Sequence, residues 1–526
     1  MAADGTLFCV RSRYLWRLTV PLALAGLFSA CGFAVQNPHL HAVDQAPKPV
    51  KASDVLKVHA KTGELYLLKE WRVAEGGTRL EGFGTRYSVT RNAVAREQAQ
   101  SILVADVALL ETNDPSAAFP FAAQSLAVLT TFWGSITGVC VADPKSCFGS
   151  CPTFYDDAGS LEAPVAEGFS ASIARVLEEQ DVDALWSVRP RNGRVVLRMR
   201  NEALETHAVR TVRLLLAQRP PGGRVLATAG GRFYEATALR APRSCRGPEG
   251  DCLAAVRAVD GLERASEADA KDLAARETLE LEFPPAQGTS GLVLSARQSL
   301  LTTFLFYQTM AYAGTGGGDL LARLESTGRE GAKRALGMAR LLGGIDAEVA
   351  EPDGGWRAIG SFREAGPLAG DVQVLPFEPP SDGGSLRVRL TLAKGNWRLG
   401  FVALARLGAP VTPRAIEPLL VERAGRADAE ARATLLDPDR YLITLPGDEY
   451  RLTFDLPEPV GDPELFLESQ GYYYEWQRAE WLKEEDPEML HLVLARPDEA
   501  LRRLAGPFKR RERQMQRSFW ESRFGR

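Results

Sequence analysis

Short segments in which apolar and polar residues alternate recur along the chain between turn residues. The clearest covers 386–392, where apolar residues at the even positions alternate with polar ones that include Arg387 and Arg389. A period of two indicates a half-buried antiparallel strand with the arginines facing solvent. Together with 48 glycines and 32 prolines, the pattern predicts a mainly β protein of sandwich or jelly-roll domains with a helical insert, α+β overall.

Three stretches carry a helical pattern instead. The segment 300–312 lies in an uncharged run at 298–318, and 320–342 is predicted to continue as one long helix. That helix contains Gly328, Gly331 and Gly337, so it must depend on packing rather than on propensity. In 167–180 the apolar residues fall on one helical face, which predicts a third helix.

The order of these patterns divides the chain into seven ranges. They are a signal peptide at 1–30, a lipidated cysteine and tether at 31–51, a small β-meander at 52–114, a β-rich domain with a buried apolar segment and a cysteine motif at 115–290, a helical segment at 291–345, a β-sandwich-like domain at 346–480 and a basic C-terminal helix or tail at 481–526.

The N-terminal segment has the order of a secretory signal, with arginines, then an apolar core at 18–28, then small residues. Its end, Leu27-Phe-Ser-Ala-Cys31-Gly32, resembles the lipobox of bacterial lipoproteins, in which the cysteine becomes the lipidated first residue. The resemblance implies acyl chains such as palmitate on Cys31. Because Gly32 is not the aspartate that retains many such proteins in the inner membrane, it also implies the outer membrane. An ordinary signal with an incidental cysteine is the alternative.

The range 115–142 contains no charged residue. A membrane span through 126–141 is one interpretation, since about 20 apolar residues suffice. The other interpretation, a buried core helix followed by a strand, is favoured by the polar side chains of Gln124, Ser125, Thr130, Thr131, Ser135 and Thr137. Gln-Ser-Leu and Leu-Thr-Thr-Phe occur in the same order here and at 298–304, which suggests either paired buried elements or chance.

Five cysteines remain for the mature protein once Cys31 is lipidated, and export permits disulfides. Two pairs flank short loops, while the fifth is an alternative partner that leaves one thiol free. A zinc site is the rival interpretation, but the spacings C-x3-C and C-x6-C favour structural disulfides. The candidates are Cys140, Cys147, Cys151, Cys245 and Cys252.

Several motifs resemble a family of uncharacterised bacterial secreted proteins and lipoproteins with no established function. The resemblance spans most of the mature chain and implies no activity. It is carried by Cys147-Phe-Gly-Ser-Cys-Pro-Thr-Phe-Tyr155, Glu167-Gly-Phe-Ser-Ala-Ser-Ile173, Asp181-Val-Asp-Ala-Leu185, Asn201-Glu-Ala-Leu-Glu-Thr-His207, Leu301-Thr-Thr-Phe-Leu-Phe-Tyr307 and Phe519-Trp-Glu-Ser-Arg523.

No residue pattern identifies a catalytic site, but two patterns suggest binding. Glu202, Glu205 and His207, near Asn201, combine the ligand types that calcium and zinc prefer; a polar connection between strands explains them as well. Tyr472, Tyr474 and Trp476 form a candidate aromatic platform for sugars, against the alternative of a buried strand with tyrosine on both faces.

Charge argues against nucleic acid as a partner, because the net charge is only -4 and the chain is predicted to be exported. The basic segment at 501–526, with interleaved aromatics, suits anionic headgroups, a partner protein, or docking onto the body of the protein. The sequence therefore predicts a membrane-anchored envelope lipoprotein that acts as a binding or scaffold protein. Its partner would be an envelope protein or a glycan, and its only cofactor the lipid on Cys31. A metal-dependent hydrolase using Glu202, Glu205 and His207, or a glycan-binding module, is the alternative.

Overall fold

The computed structural model describes residues 56–112, apart from 61, 63, 75–77 and 89–92, and residues 151–523, apart from short gaps. The gaps are 159–162, 204, 315–316, 364–365, 381–382, 445–447, 458–460 and 476–483. The predicted signal, Cys31, the tether and the uncharged range 115–142 lie outside these residues.

The described strands in chain order are β1 (Leu56–Ala60), β2 (Leu65–Ala74), β3 (Arg79–Tyr87), β4 (Ala93–Leu103), β5 (Val107–Thr112), β6 (Thr153–Asp156), β7 (Ala166–Glu167), β8 (Glu179–Ala184), β9 (Arg194–Arg200), β10 (Glu205–Gln218), β11 (Arg224–Ala227), β12 (Phe233–Arg240), β13 (Ser244–Gly247), β14 (Gly250–Asp251), β15 (Arg264–Ala265), β16 (Arg276–Phe283), β17 (Ser290–Gln298), β18 (Ile345–Ala350), β19 (Trp356–Phe362), β20 (Asp371–Phe377), β21 (Leu386–Ala393), β22 (Trp397–Val411), β23 (Arg414–Ile416), β24 (Leu420–Arg423), β25 (Arg426–Ala427), β26 (Leu442–Thr444), β27 (Glu449–Asp455) and β28 (Pro463–Glu475).

The described α-helices are α1 (Leu253–Val256), α2 (Leu301–Ala313), α3 (Gly317–Ser326), α4 (Gly328–Ala335), α5 (Gly337–Leu342), α6 (Ala429–Leu435), α7 (Pro487–Ala495) and α8 (Pro497–Arg523). The mainly β fold class with a helical insert is therefore confirmed. Within the described part of the chain, every helix is too short or too polar to cross a bilayer.

The described strands form five antiparallel sheets. Sheet I is the predicted N-terminal meander, in the order β4-β3-β2-β1-β5, with its own core around Leu68, Trp71 and Leu80. Sheet II has the order β25-β24-β27-β9-β6-β7, and sheet III the order β23-β10-β28-β8 with β26 beside β10. Sheet IV runs β11-β12-β22-β17-β20 with β15 beside β22, and sheet V runs β14-β13-β16-β21-β18-β19.

Sheets II to V are stacked in that order, as their shared cores show. Leu197 of sheet II packs in one core with Leu467 of sheet III. Phe466, which precedes Leu467 and lies on the other face of β28, packs with Val225 of sheet IV. Sheets IV and V share a third core. Sheets III and IV therefore have protein on both faces, which is why β28 is buried along almost its whole length, whereas Arg387 and Arg389 of the outer strand β21 are more accessible.

The same arrangement of two consecutive strands that pass from one sheet to the next occurs twice in this stack. The pair β16–β17 leads from outer sheet V to inner sheet IV and lies beside β21–β22. The pair β27–β28 leads from outer sheet II to inner sheet III and lies beside β9–β10. The chain builds sheets IV and V between β10 and β23, so the predicted ranges 115–290 and 346–480 each supply strands to several sheets.

Six of the described helices, α2 to α5, α7 and α8, gather around an apolar cluster that includes Leu301, Phe304 and Phe508. The predicted helix at 300–312 is confirmed as α2. The predicted long helix at 320–342 is wrong: it is divided into α3, α4 and α5, because Gly328 adopts a φ of 68° and Leu336 leaves helical geometry. The basic C-terminal segment does form a helix, and Phe508 on it is buried against Phe304.

The predicted helix at 167–180 is also wrong. Its residues form β7, a turn, a short 3-10 turn at Arg175–Leu177 and β8. Helical periodicity is overridden here by tertiary hydrogen bonds: Phe169 has a φ of 40°, and its N–H donates to Asp181 at 3.0 Å.

We predict that Gly471→Ala lowers the stability of the protein by about 1–3 kcal/mol, the usual cost of overpacking. A Cβ on Gly471 would lie 2.4 Å from the carbonyl oxygen of Ala208 and 2.8 Å from the Phe169 ring, inside the doubly covered sheet III. Gly461→Ala is the matched control, because a Cβ there has no neighbour within 4 Å. Thermal unfolding measures both; equal melting temperatures would contradict this account of β28.

Candidate functional site

A buried polar centre forms around Cys151, the last cysteine of the Cys147–Tyr155 motif. The Cys151 N–H donates to Glu205 Oε2 at 3.0 Å, and its thiol donates to Glu167 Oε1 at 3.1 Å. His207 Nε2 lies 3.0 Å from the same Glu205 oxygen. All four side chains are almost fully buried. We call Cys151, Glu167, Glu205 and His207 the buried centre.

Glu167 links the two halves of the stack through this centre. Its second carboxylate oxygen accepts hydrogen bonds from the N–H groups of Leu368, at 2.7 Å, and Ala369, at 3.2 Å. These residues precede β20 of sheet IV, while Glu167 ends β7 of sheet II. Gly366 makes the close approach possible, because a Cβ there would meet the Glu167 carboxylate at 2.1 Å.

The protonation states in the centre are unsuited to nucleophilic chemistry. Burial, together with the Glu167 carboxylate, raises the pKa of the Cys151 thiol well above its usual range, whereas a reactive cysteine needs a lowered pKa. Burial lowers the pKa of His207 to about 3, so the imidazole is neutral at pH 7. The thiol hydrogen bond goes to Glu167 rather than to His207. The centre therefore acts as a polar joint between strands.

The structure brings together only part of the predicted metal set. Glu205 and His207 are adjacent, but the Glu202 carboxylate accepts a hydrogen bond from the Tyr155 hydroxyl at 2.6 Å and lies 3.6 Å from Arg200. Asn201 donates to the carbonyl oxygens of Glu205 and Thr444. Within the described residues, no three or more His, Cys, Asp or Glu side chains are arranged so that they could hold a metal ion. The prediction that Glu202, Glu205 and His207 converge on one cation is therefore wrong, because each serves the strand connection.

The cysteine predictions have mixed outcomes. Cys245 and Cys252 form the predicted local disulfide. Cys151 is a free, buried thiol, so the predicted disulfide at this position is not formed. The hydrogen bond to Glu167 occupies the thiol instead. Cys140 and Cys147 lie outside the described residues.

The prediction of an exposed aromatic platform is wrong for Tyr472 and Tyr474. Tyr472 and Tyr474 are each 1% exposed and pack against the helical cluster, while Tyr473, on the other face of β28, belongs to the core between sheets II and III. The alternative of a buried strand with tyrosine on both faces is confirmed. Trp476 lies outside the described residues.

Three aspartates with perturbed pKa values lie beside the buried centre, where β8 of sheet III meets β20 of sheet IV. Burial, with the charge of Asp371, raises the pKa of Asp181 to about 7. Burial raises the pKa of Asp371 to about 6 and that of Asp183 well above its usual range. Asp183 and Asp371 each have one buried oxygen without a hydrogen-bond partner among the described residues. We call Asp181, Asp183 and Asp371 the aspartate group.

A second candidate site is an apolar cavity among the helices, with a volume of about 130 Å³. Residues from α2, α3, α4, α5 and α7 line it, together with Ala171 and Ile173 from the turn after β7. None of its described lining residues is charged. Leu494 of α7 belongs to the lining yet is 40% exposed, which places it at the solvent side. The lining comprises Ala171, Ile173, Thr302, Leu305, Phe306, Thr309, Met310, Leu320, Leu321, Leu324, Ala335, Leu336, Met338, Ala339, Val493 and Leu494.

Sequence reasoning missed the aspartate group and the cavity. A signal existed for the first: Asp181 and Asp183 lie two positions apart, so they share one face of a strand, and charge on a strand between apolar segments is unusual. The uncharged run around α2 was a signal for the second, since a helix apolar on all sides must be covered. No protein-family model, curated protein or solved structure matches the chain.

We predict that Asp371→Asn stabilises the protein at pH 8 by roughly 1–3 kcal/mol and reduces its pH dependence. An aspartate whose pKa is raised in the folded state stabilises the fold below about pH 4, its unfolded value, and that stability is lost as pH rises through the folded value. For Asp371 the window is therefore about pH 4 to 6, because burial raises its pKa more than the hydrogen bonds from the Gln373 side chain and the Val372 N–H lower it. The contribution of His207 to the pH dependence of stability has the opposite sign. Because its pKa is lowered in the folded state, His207 reduces the stability as the pH falls below about 6.5, its unfolded value.

The measurement is the melting temperature of the wild type and the variant between pH 5 and pH 8. The difference between them isolates Asp371 from the contribution of His207. Asp439→Asn, at an exposed aspartate, controls for the change in net charge. A difference that is independent of pH, or that favours the wild type at pH 8, would contradict the assignment.

Proposed function

We propose that the protein is a lipid-anchored envelope protein whose folded body is a binding protein, and that the apolar cavity among the helices is its ligand site. The observation that carries this proposal is the cavity itself, about 130 Å³ and without a charged lining residue among those described. Ligand sites in proteins are concave, largely apolar and few in number. A cavity of roughly 150 Å³ with such a lining takes up molecules of the size of benzene.

The buried centre supports binding over catalysis as the role of the protein. Its thiol, carboxylates and imidazole lie inside the stack with exposures of 3% or less. Each takes part in a hydrogen bond that holds strands or loops in place. A substrate would have to separate sheets II and III to reach them.

The anchor part of the proposal depends on the Leu27–Gly32 segment and its resemblance to a lipobox. Acyl chains contribute about 0.8 kcal/mol per buried CH2, so two or more chains on Cys31 would hold the protein at a membrane stably. The proline-containing stretch at 37–51 would then act as a tether between the anchor and the body, which would keep the cavity close to a membrane surface.

We predict that Cys31→Ser moves the protein from the membrane fraction to the soluble fraction and abolishes labelling by a radioactive fatty acid. The change removes the only atom to which a lipobox enzyme attaches a diacylglyceryl group. Cys9→Ser, upstream of the expected cleavage site, is the matched control and should leave both results unchanged. Retention of the label by the Cys31→Ser protein would exclude this cysteine as the anchor.

We predict that Leu494→Glu weakens binding of an uncharged apolar probe at least tenfold, because it places an unpaired charge against the apolar lining. The measurement is a fluorescence titration with N-phenyl-1-naphthylamine. It uses the mature chain with Cys31→Ser, which needs no detergent that could fill the cavity.

Leu419→Glu is the matched control, since Leu419 is 49% exposed and does not line the cavity. Thermal unfolding checks that both variants remain folded. If the unmodified body does not bind the probe, or if both variants bind it equally, the cavity is not the ligand site.

A further inference from the structure

We infer that the cavity holds the alkyl chain of a medium-chain carboxylate, and that three arginines at its edge hold the carboxylate group. This inference rests on the proposed function, because it names the class of ligand for the same cavity. Its basis is the contrast between a described lining without charge and three neighbouring arginines that pair with no described carboxylate.

Three arginines are direct sequence neighbours of lining residues. Arg323 precedes Leu324 in α3, Arg334 precedes Ala335 in α4, and Arg340 follows Ala339 in α5. Consecutive Cα atoms are about 3.8 Å apart, so the backbone of each arginine lies next to a residue that lines the cavity. The side chains of all three are exposed.

These arginines differ from the other cations of the same helices. Arg329 and Lys333, on α4, both pair with Glu179 at the start of β8 and so tie the helix to sheet III. Arg323, Arg334 and Arg340 form no ion pair with any described carboxylate, although Glu330 lies one turn before Arg334. Their charges are therefore available to a ligand.

The acidic neighbours of the lining do not cancel this charge. Glu325 follows Leu324, but it accepts hydrogen bonds from the Tyr474 hydroxyl at 2.7 Å and from the Val176 N–H at 3.1 Å. That carboxylate is therefore held on the side of the sheet. Among the described side chains, no other acidic residue is a direct sequence neighbour of a lining residue.

The volume and the charges together define the ligand. A space of about 130 Å³ encloses a benzene-sized part of an alkyl chain, and burial of each CH2 is favourable. A guanidinium group binds a carboxylate through two parallel hydrogen bonds, which an ammonium group cannot do. A chain of about ten carbons that ends in a carboxylate would leave its charged end outside the cavity, within reach of the arginines.

The test is displacement of N-phenyl-1-naphthylamine from the mature chain with Cys31→Ser, by decanoate and by decanol. These ligands share a chain length and differ in charge. The decisive variant is the triple change Arg323→Gln, Arg334→Gln and Arg340→Gln. Its control removes the same net charge from exposed arginines of the β body, as Arg232→Gln, Arg243→Gln and Arg426→Gln.

We expect the decisive triple variant to bind decanoate about three- to tenfold more weakly, in line with the modest strength of exposed ion pairs. Its affinity for decanol and for the probe should not change. The control triple should bind both ligands as the wild type does. Raising the salt concentration should weaken decanoate binding to the wild type and leave decanol binding unaltered.

Two results would overturn the inference, and they can be told apart. If the probe and decanol bind but the arginine variant treats decanoate as the wild type does, or the control triple shows the same loss, the carboxylate assignment is wrong and the proposed function stands. If neither the probe nor decanol binds, both the carboxylate inference and the proposed function are wrong.

Discussion

The two inner sheets of the stack are covered by protein on both faces, and most other features of the body depend on this constraint. Side chains on both faces of β17 and β28 are buried almost throughout, so the usual solvent-facing side of an antiparallel strand is missing there. A polar group on these strands must find a protein partner or lose its charge. Glu464 on β28 shows the first outcome, fully buried between Arg219 and Arg224. The aspartate group shows the second, because burial there raises the pKa values toward neutrality.

The same constraint explains how the chain is ordered. Sheets IV and V are built by a continuous stretch between β10 and β23, yet the strands on either side of that stretch, β9–β10 and β27–β28, pair with each other. The strands of sheets II and III therefore lie on both sides, in sequence, of the stretch that forms sheets IV and V. Inner sheets III and IV pack against each other. Glu167 reinforces the junction through its hydrogen bonds to the loop before β20. Domain boundaries read from changes in composition do not detect this, since strands far apart in sequence close the same sheet.

Local pattern was enough to predict strands such as 386–392, the meander of sheet I, the helix at α2 and the Cys245–Cys252 disulfide. Each depends on residues close in sequence. The failures share the opposite property. The segment 167–180 has a helical period, but it is held in turns and strands by a hydrogen bond from the distant Leu368 N–H to Glu167 and by one from the Phe169 N–H to Asp181. Tyr472 and Tyr474 were candidates for exposure because nothing in the sequence shows that helices from 301–342 cover β28. The cavity depends on five helices at once, and no local pattern encodes its volume.

The helical cluster differs from the β body in a way that bears on function. In the β body, the buried centre and Glu464 hold neighbouring sheets and loops together through hydrogen bonds and ion pairs. In the helical cluster, α3, α4 and α5 are short, are separated where Gly328 and Leu336 leave helical geometry, and surround a space of about 130 Å³. An apolar space whose described lining carries no charge, beside arginines that pair with no described carboxylate, is what a site for an anionic amphiphile requires.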